Sequence, residues 1–324
     1  MRFLIQPDRV RHKNGEVQSF SEIWLRLAAD YGCQASSANV DAPDFFHVAA
    51  QHDAFMWRFG YQAQRIWFAK IIISSVEKGL RKPVFPNSDT IWHFEDKVAQ
   101  KYFLESLAAP VPDTQVFWNR ADAEAYVERA RFPLVTKLAH GFRSSSVRLL
   151  ADKTEALAWI TQVFGRGVTS IEAKRVLTGR SLSRTGLHHG YAYFQEFLDG
   201  NDFDTRVTVI GDRAFAFRRF NRRDDFRASG SGLIDWNPEA VDTRFLDIAY
   251  GIATASGAQS LAADGMFRDG TPVIGEISYT YASWAVRDCP GHWLHRGRGV
   301  WTWVEGHMEP ARAIFDDLYG RAAP

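Results

Sequence analysis

The chain has 324 residues, with 39 Lys plus Arg against 38 Asp plus Glu and a formal net charge of +1. Near-neutrality removes the simplest signature of a nucleic-acid or membrane-surface protein, which concentrates one sign of charge. A hydrophobic content of 46% beside 24% charged residues is that of a folded globular chain, which excludes disorder, collagen and coiled coil.

The length fits about two domains or one large one. Two cysteines, Cys33 and Cys289, cannot build a disulfide scaffold and fit a reducing compartment, so the expected location is cytoplasmic. The start of the chain carries one positive charge and a short apolar run, unlike a signal peptide. No stretch reaches the roughly 18 apolar residues of a membrane span.

Residues 1–85 read as alternating strand and helix, a small α/β domain. A strand is expected at Arg2–Gln6. A helix is expected at Ser21–Ala28, capped by Ser19 or Ser21, and another at Ala63–Gly79. A helix over Glu95–Leu107 follows, with Val98, Tyr102, Phe103 and Leu107 as its apolar stripe. A strand at Leu134–Leu138 leads into a loop of small residues, His140–Val147. Residues 190–280 read mostly as strand. One hairpin turns at Gly211-Asp212, and a second joins Leu261–Phe267 to Pro272–Ser278 around Asp269-Gly270. The chain closes with four tryptophans (Trp284, Trp293, Trp301, Trp303) and a helix from Pro310 to Gly320. The expected division is 1–85, 86–190 and 191–324.

The second hairpin is the most informative local pattern. Alternation puts Glu276 and Ser278 on one face, and a hairpin centred near Gly270 sets Asp264 opposite Glu276. Opposed Cβ atoms lie roughly 5 Å apart, so the two carboxylates repel unless a cation sits between them. Hard oxygen ligands of this kind suit Mg²⁺. Two solvated surface acids are the alternative. Arg218, Arg219, Arg222, Arg223 and Arg227 crowd into ten residues, interrupted by Asp224 and Asp225. They are either a solvated, internally paired loop or a clamp for phosphate or carboxylate. Lys137 sits inside an apolar strand and therefore needs an anion. Lys97 reads as an exposed helical lysine when taken alone. The hydroxyls of Ser144 and Ser145 are suited either to a phosphate or to a plain turn.

Taken in chain order, these pieces resemble the ATP-grasp superfamily, and within it the RimK-like glutamate ligases and glutathione synthetase. The resemblance runs from about Phe85 to Ser278. Phe94-Glu95-Asp96-Lys97 and Phe132-Pro133-Leu134-Val135-Thr136-Lys137 resemble the segments bearing the two ATP-contacting lysines, and Pro110–Thr114 the Pro-x-Thr segment. His140–Val147 stands in the place of the phosphate-covering loop. Tyr193–Leu198 resembles the adenine-holding hinge, which implies Glu196, Phe197 and Leu198 there. Asp204-Thr205-Arg206 resembles the Asp-x-Arg whose aspartate lies near the ribose. Asp225–Ser229 resembles the segment whose arginine meets phosphate, implying roles for Arg227, Ala228 and Ser229. Asp264 and Glu276 stand twelve positions apart, as the two acidic Mg²⁺ ligands do, with Ser278 where asparagine is usual.

The resemblance implies an α+β ATP-grasp fold, two subdomains clasping ATP, preceded by the small α/β domain. It implies a ligase that joins a carboxylate and an amine through an acyl phosphate, using ATP and one or two Mg²⁺, or Mn²⁺. Lys97, Lys137 and Arg227 would hold phosphate oxygens, and Arg218 or Arg219 would stabilise the acyl phosphate. The alternatives are an ATP-grasp phosphotransferase and a nucleotide-binding protein without turnover. Neither a nucleic acid nor a membrane is an expected partner, and the oligomeric state is not legible. His52, Trp57 and Arg58 are candidates for a substrate pocket, against a reading of Trp57 as core and Arg58 as an exposed cation. Cys289, His292 and His295 have a spacing that suits zinc but read better as unrelated side chains.

Overall fold

The computed structural model describes residues 1–8, 10–11, 17–141, 146–169, 187–223, 231–297 and 299–322. The chain opens with β1 (Arg2–Ile5), α1 (Phe20–Asp30), β2 (Gln34–Ser37), β3 (Ala54–Met56), α2 (Ala63–Ser74) and β4 (Val84–Phe85). The strands form a parallel sheet in the order β2-β1-β3-β4. A parallel sheet is covered on both faces, so its central strand is apolar throughout. Phe3 and Ile5 of β1 accordingly enter one core and Leu4 the opposite one. Ser19 caps α1 by accepting the Glu22 N–H at 3.1 Å, and Phe20, Trp24, Leu27 and Ala28 form its buried stripe. The regular part of α2 ends at Ser74, and a π-helical turn continues it to Gly79.

Next comes α3 (Lys97–Ser106), capped by Asp96, which accepts from the Val98 and Ala99 N–H groups. A four-stranded antiparallel sheet follows, built from β5 (Thr114–Phe117), β6 (Leu134–Lys137), β7 (Val147–Leu150) and β8 (Ala192–Glu196) in the order β5-β8-β6-β7. Helices α4 (Arg120–Val127) and α5 (Lys153–Phe164) cover one face, where Ala192 and Phe194 are buried. Tyr191 and Tyr193 turn to the other face, against Val98 and Ala139. The expected division falls after residue 190, just before β8. β8 belongs to this smaller sheet because its backbone pairs with β5 and β6, and that partnership carries no local sequence signal.

The larger sheet contains β9 (Phe203–Ile210), β10 (Arg213–Phe220), β11 (Ile234–Asp235), β12 (Ser260–Arg268), β13 (Thr271–Ser278), β14 (Gly291–His295) and β15 (Trp301–Glu305). The order is β13-β12-β9-β10-β14-β15, with β11 beside β10. Both expected hairpins are present. The tryptophan-rich segment forms the β14–β15 hairpin, with Trp293 and Trp303 in contact at 4.6 Å. One face packs on α6 (Arg244–Ser256) through Val207, Val209, Ala214, Ala216, Leu261 and Ala263. On the other face, Ile210, Phe215, Phe217 and Ala262 meet the N-terminal sheet and α7 (Pro310–Ala322). Trp24 donates its indole N–H to the Ala311 carbonyl at 2.8 Å, and Phe3 meets Phe315 at 5.0 Å.

Two buried positions carry testable consequences. A Cβ on Gly265 would lie 2.3 Å from the ring of the fully buried Phe245. Gly265→Ala is expected to destabilise the protein by about 1–3 kcal/mol, read as a lower urea midpoint.

His93 is fully buried and stacked on Phe103 at 4.8 Å, and neither ring nitrogen has a hydrogen-bond partner. Burial, helped by the Lys70 charge, pushes its pKa down to about 4. The unfolded chain binds this proton near pH 6.5 and the folded chain does not, so stability falls as pH drops from about 6.5 to 4. The loss from this one group reaches roughly 3 kcal/mol. His93→Phe should flatten that part of the pH–stability curve in denaturation experiments at pH 7 and pH 5.

Candidate active site

The face of the larger sheet that packs on the N-terminal domain changes character along its strands. It is apolar at Ile210, Phe215 and Phe217. Farther along, the same alternation brings up Arg206 and Asp204 on β9, Arg219 on β10, Asp264 on β12 and Glu276 on β13. Arg206 grips Asp264 with a two-bond fork, Nε–Oδ1 and Nη2–Oδ2 both 2.7 Å. Arg219 forks Asp204 at 2.7 and 2.5 Å and reaches Asp264 Oδ2 at 2.8 Å. Burial pushes the Asp264 carboxyl up, but Arg206 and Arg219 outweigh it and hold the group below the usual carboxylate range. The same carboxylates hold Arg219 firmly charged despite its burial.

A β-bulge places Glu276. From the turn, Arg268 pairs with Thr271 and Gly265 with Ile274. Continued without interruption, that register would set Gly275 opposite Asp264 and send Glu276 to the α6 face. The bulge takes up Gly275 and puts Glu276 opposite Asp264.

The other wall is supplied by lysines. Lys97, at the first turn of α3, is buried. Its Nζ donates to the Gly141 carbonyl at 2.8 Å and lies 3.4 Å from Glu276 Oε1. Burial alone would lower its pKa. The carboxylates of Glu276, Glu95 and Asp96 win, and the pKa is raised. Lys137, at the end of β6, is also buried, and its Nζ makes a long 3.4 Å contact to the carbonyl of the bulged Gly275. Burial pushes its pKa down to about 8; Glu276 pulls it up and Lys97 opposes. The two ammonium groups thus lie on the Glu276 side of the cleft between the two sheets, and the two guanidinium groups grip the facing Asp264.

No family model matches the chain. Solved structures do. A RimK domain ATP-grasp protein from Sphaerobacter thermophilus is 18% identical, with a TM-score of 0.56 over 99% of this chain and 100% of the other. D-cycloserine synthetase is 13% identical, with a TM-score of 0.60 over 99% and 100%. D-alanine–D-alanine ligase from Bacillus anthracis, solved with ATP, is 12% identical, with a TM-score of 0.55 over 99% and 97%. The chain has the ATP-grasp fold.

Within that ATP-grasp fold, Lys97, Lys137, Asp204, Arg219, Asp264 and Glu276 come together. Arg218 does not, which corrects the expectation. It is one residue out of phase, so it points to the opposite face, bonds Asp235 at 2.5 Å and lies over the Phe203 ring at 5.0 Å. The Glu196 side chain is spoken for at the crossing between the sheets: it accepts the Asp113 N–H at 2.6 Å and is paired with Arg268. Phe197 and Leu198 form that crossing, and Asn201 fastens it by bonding the Leu198 carbonyl and both backbone groups of Phe267. Ser144, Ser145, Arg227, Ala228 and Ser229 lie outside the described residues.

Of the pocket candidates, Trp57 is core and His52 bonds Ser36 and the Val48 carbonyl. Arg58 is neither exposed nor open to a ligand. It bonds Thr280 Oγ1 and the Tyr281 carbonyl, each at 3.2 Å, lies over the Phe20 ring, and ties the N-terminal domain to the segment after β13. Cys289 and His292 are buried apart from any metal cluster, and His295 stacks on Tyr250 at 3.9 Å. No group of three or more His, Cys, Asp or Glu side chains among the described residues is suited to a metal.

Two residues were missed. Arg206 shares its strand face with Asp204, and the Asp-x-Arg spacing was its signal. Tyr61, whose hydroxyl donates to the Thr280 carbonyl at 3.0 Å, had no signal beyond a local run of aromatics.

Mg²⁺ can be tested against the donors present. A carboxylate offers about four lone-pair sites. Asp264 uses three on guanidinium N–H groups, and Glu276, partly exposed, meets one ammonium. Ser278 donates its hydroxyl proton to the Thr280 carbonyl at 2.7 Å and adds only a neutral oxygen. One or two carboxylates plus phosphates is an ordinary Mg²⁺ set, and Glu276 and Asp264 fit it.

Proposed function

We propose that the chain is an ATP-dependent carboxylate–amine ligase working through an acyl phosphate. The observation that carries this reading is the convergence of Lys97 and Lys137 from one wall on Glu276, and of Arg206 and Arg219 from the other on the facing Asp264. Phosphoryl transfer asks a protein mainly for positioning and charge neutralisation, and cations on both walls of a cleft supply that. ATP would lie with its phosphates between these groups, and the crossing at Phe197–Leu198 would border adenine. Mg²⁺ held by Glu276 and Asp264 would neutralise phosphate charge.

Lys97 and Lys137 would bind phosphate oxygens. Arg206 and Arg219, held rigid by Asp264 and Asp204, would face the transferring phosphoryl group. A substrate carboxylate oxygen attacks the γ-phosphorus and ADP leaves. The amine then attacks the acyl carbon and phosphate leaves. D-alanine–D-alanine ligase and D-cycloserine synthetase share the fold and support the assignment. Both cysteines are free, in keeping with a reducing cytoplasm, and no described helix is long and apolar enough to cross a membrane.

The test is incubation with Mg-ATP and pooled carboxylic acids, amino acids and amines, with hydroxylamine as the acyl trap. Pool-dependent ADP and a hydroxamate, both lost in Glu276→Ala, are expected. ADP without hydroxamate or amide would replace the ligase with a phosphotransferase.

A further inference from the structure

The first turn of α3 and the stem leading to residues 142–145 are joined by three bonds. The Lys97 N–H donates to the Ala139 carbonyl at 2.9 Å, Lys97 Nζ to the Gly141 carbonyl at 2.8 Å, and His140 Nδ1 meets the Glu95 carbonyl at 2.7 Å. A carbonyl only accepts, so His140 carries its proton on Nδ1. Glu95 is left-handed, with φ of +57°, a conformation that costs a residue with a Cβ and persists only where neighbours impose it. That residue stands two positions before Lys97, and its carbonyl is what His140 holds.

The stem is itself braced. The Ala139 N–H donates to the Tyr191 hydroxyl at 2.7 Å, which also meets His188 Nδ1 at 2.9 Å. Ser146 Oγ donates to the Gly141 carbonyl at 3.2 Å. His140 is exposed, so its ring contributes little to any core. Besides a tilted ring contact with His188 at 5.8 Å, its specific contribution is the single directed bond to the Glu95 carbonyl.

We propose that His140 is a positioning residue for the nucleotide site. It clamps the left-handed Glu95 turn against the stem and so sets the direction of Lys97 Nζ toward the phosphates. This rests on the ligase reading only for the identity of the ligand; the clamp itself does not.

The experiment compares wild type, His140→Ala and His140→Asn. Asparagine Nδ2 branches from Cγ as Nδ1 does and can donate to the same carbonyl. Hydrogen exchange of the 94–101 amides in the ligand-free protein is read first, then the affinity for Mg-AMP-PNP. One net hydrogen bond corresponds to roughly two- to tenfold in an equilibrium, so His140→Ala is expected to speed exchange and weaken AMP-PNP binding each by about that factor. His140→Asn should restore both, with the thermal midpoints of all three proteins within about a few degrees of one another. Equal behaviour of the Ala and Asn variants, or wild-type exchange in His140→Ala, would overturn the proposal. Faster exchange in His140→Ala with no AMP-PNP binding by wild type would retain the clamp and remove the ligase reading.

Discussion

Replacement of Arg219 by methionine is expected to destabilise the protein by about 3–5 kcal/mol, the cost of orphaning a buried charge. Arg219 is 7% exposed and is the only described cation bonded to both Asp204 and Asp264. Without it, Asp264 keeps the Arg206 fork and Asp204 loses its own. Burial already pushes the Asp204 carboxyl up, with Arg219 pulling it down and Asp264 pushing again. Removing Arg219 leaves the raising influences opposed only by the more distant Arg206, so the buried Asp204 carboxylate loses its main compensation. Adding Asp204→Asn to Arg219→Met removes that orphaned charge. The double variant is therefore expected to recover part of the loss, a coupling that a double-mutant cycle in urea measures directly.

Lys137→Met is expected to lower kcat/KM for ATP on the order of 10²–10³-fold, the usual cost of a preorganised donor in a water-poor site. Its pH behaviour is the sharper signature. Burial pushes the Lys137 pKa down to about 8 in the free protein. Polyphosphate beside the ammonium raises it. Below pH 8 the lysine is charged both free and bound, and affinity is insensitive to its titration. Above pH 8 binding must take up a proton, so affinity falls with rising pH by up to about tenfold per unit. Titration calorimetry in two buffers of different ionisation enthalpy reads that proton uptake, and Lys137→Met should abolish it.

Much of this site was legible because strands repeat every two residues. Alternation pairs Asp264 with Glu276 for a hairpin centred near Gly270. The ladder starts one half-step earlier, at Arg268 and Thr271, and the bulge at Gly275 restores the facing pair. A bulge is a local backbone choice that periodicity does not reveal. The same alternation separates Arg218 from Arg219: Arg219 is in phase with Phe215 and Phe217, whose partners are the N-terminal domain and α7. The arginine cluster offers Arg218 or Arg219, and as neighbours on a strand the two send their side chains to opposite faces. Lys137 was legible as a buried cation in an apolar strand. Lys97 was not legible as buried, because its cover comes from the Gly141 stem and Glu276, residues far along the chain. Arg58 was opaque for the same reason: its partners Thr280 and Tyr281 lie more than 200 positions away.

The central claim is that the cleft between the lysines and the arginine–carboxylate face holds a nucleotide. Calorimetric titration of Mg-AMP-PNP into wild type, Lys97→Met and Lys137→Met tests it without knowledge of the other substrates. Saturable one-to-one binding by wild type, weakened at least about tenfold in each variant, is the expected result. Absence of binding by wild type, or equal binding by all three proteins, would contradict it.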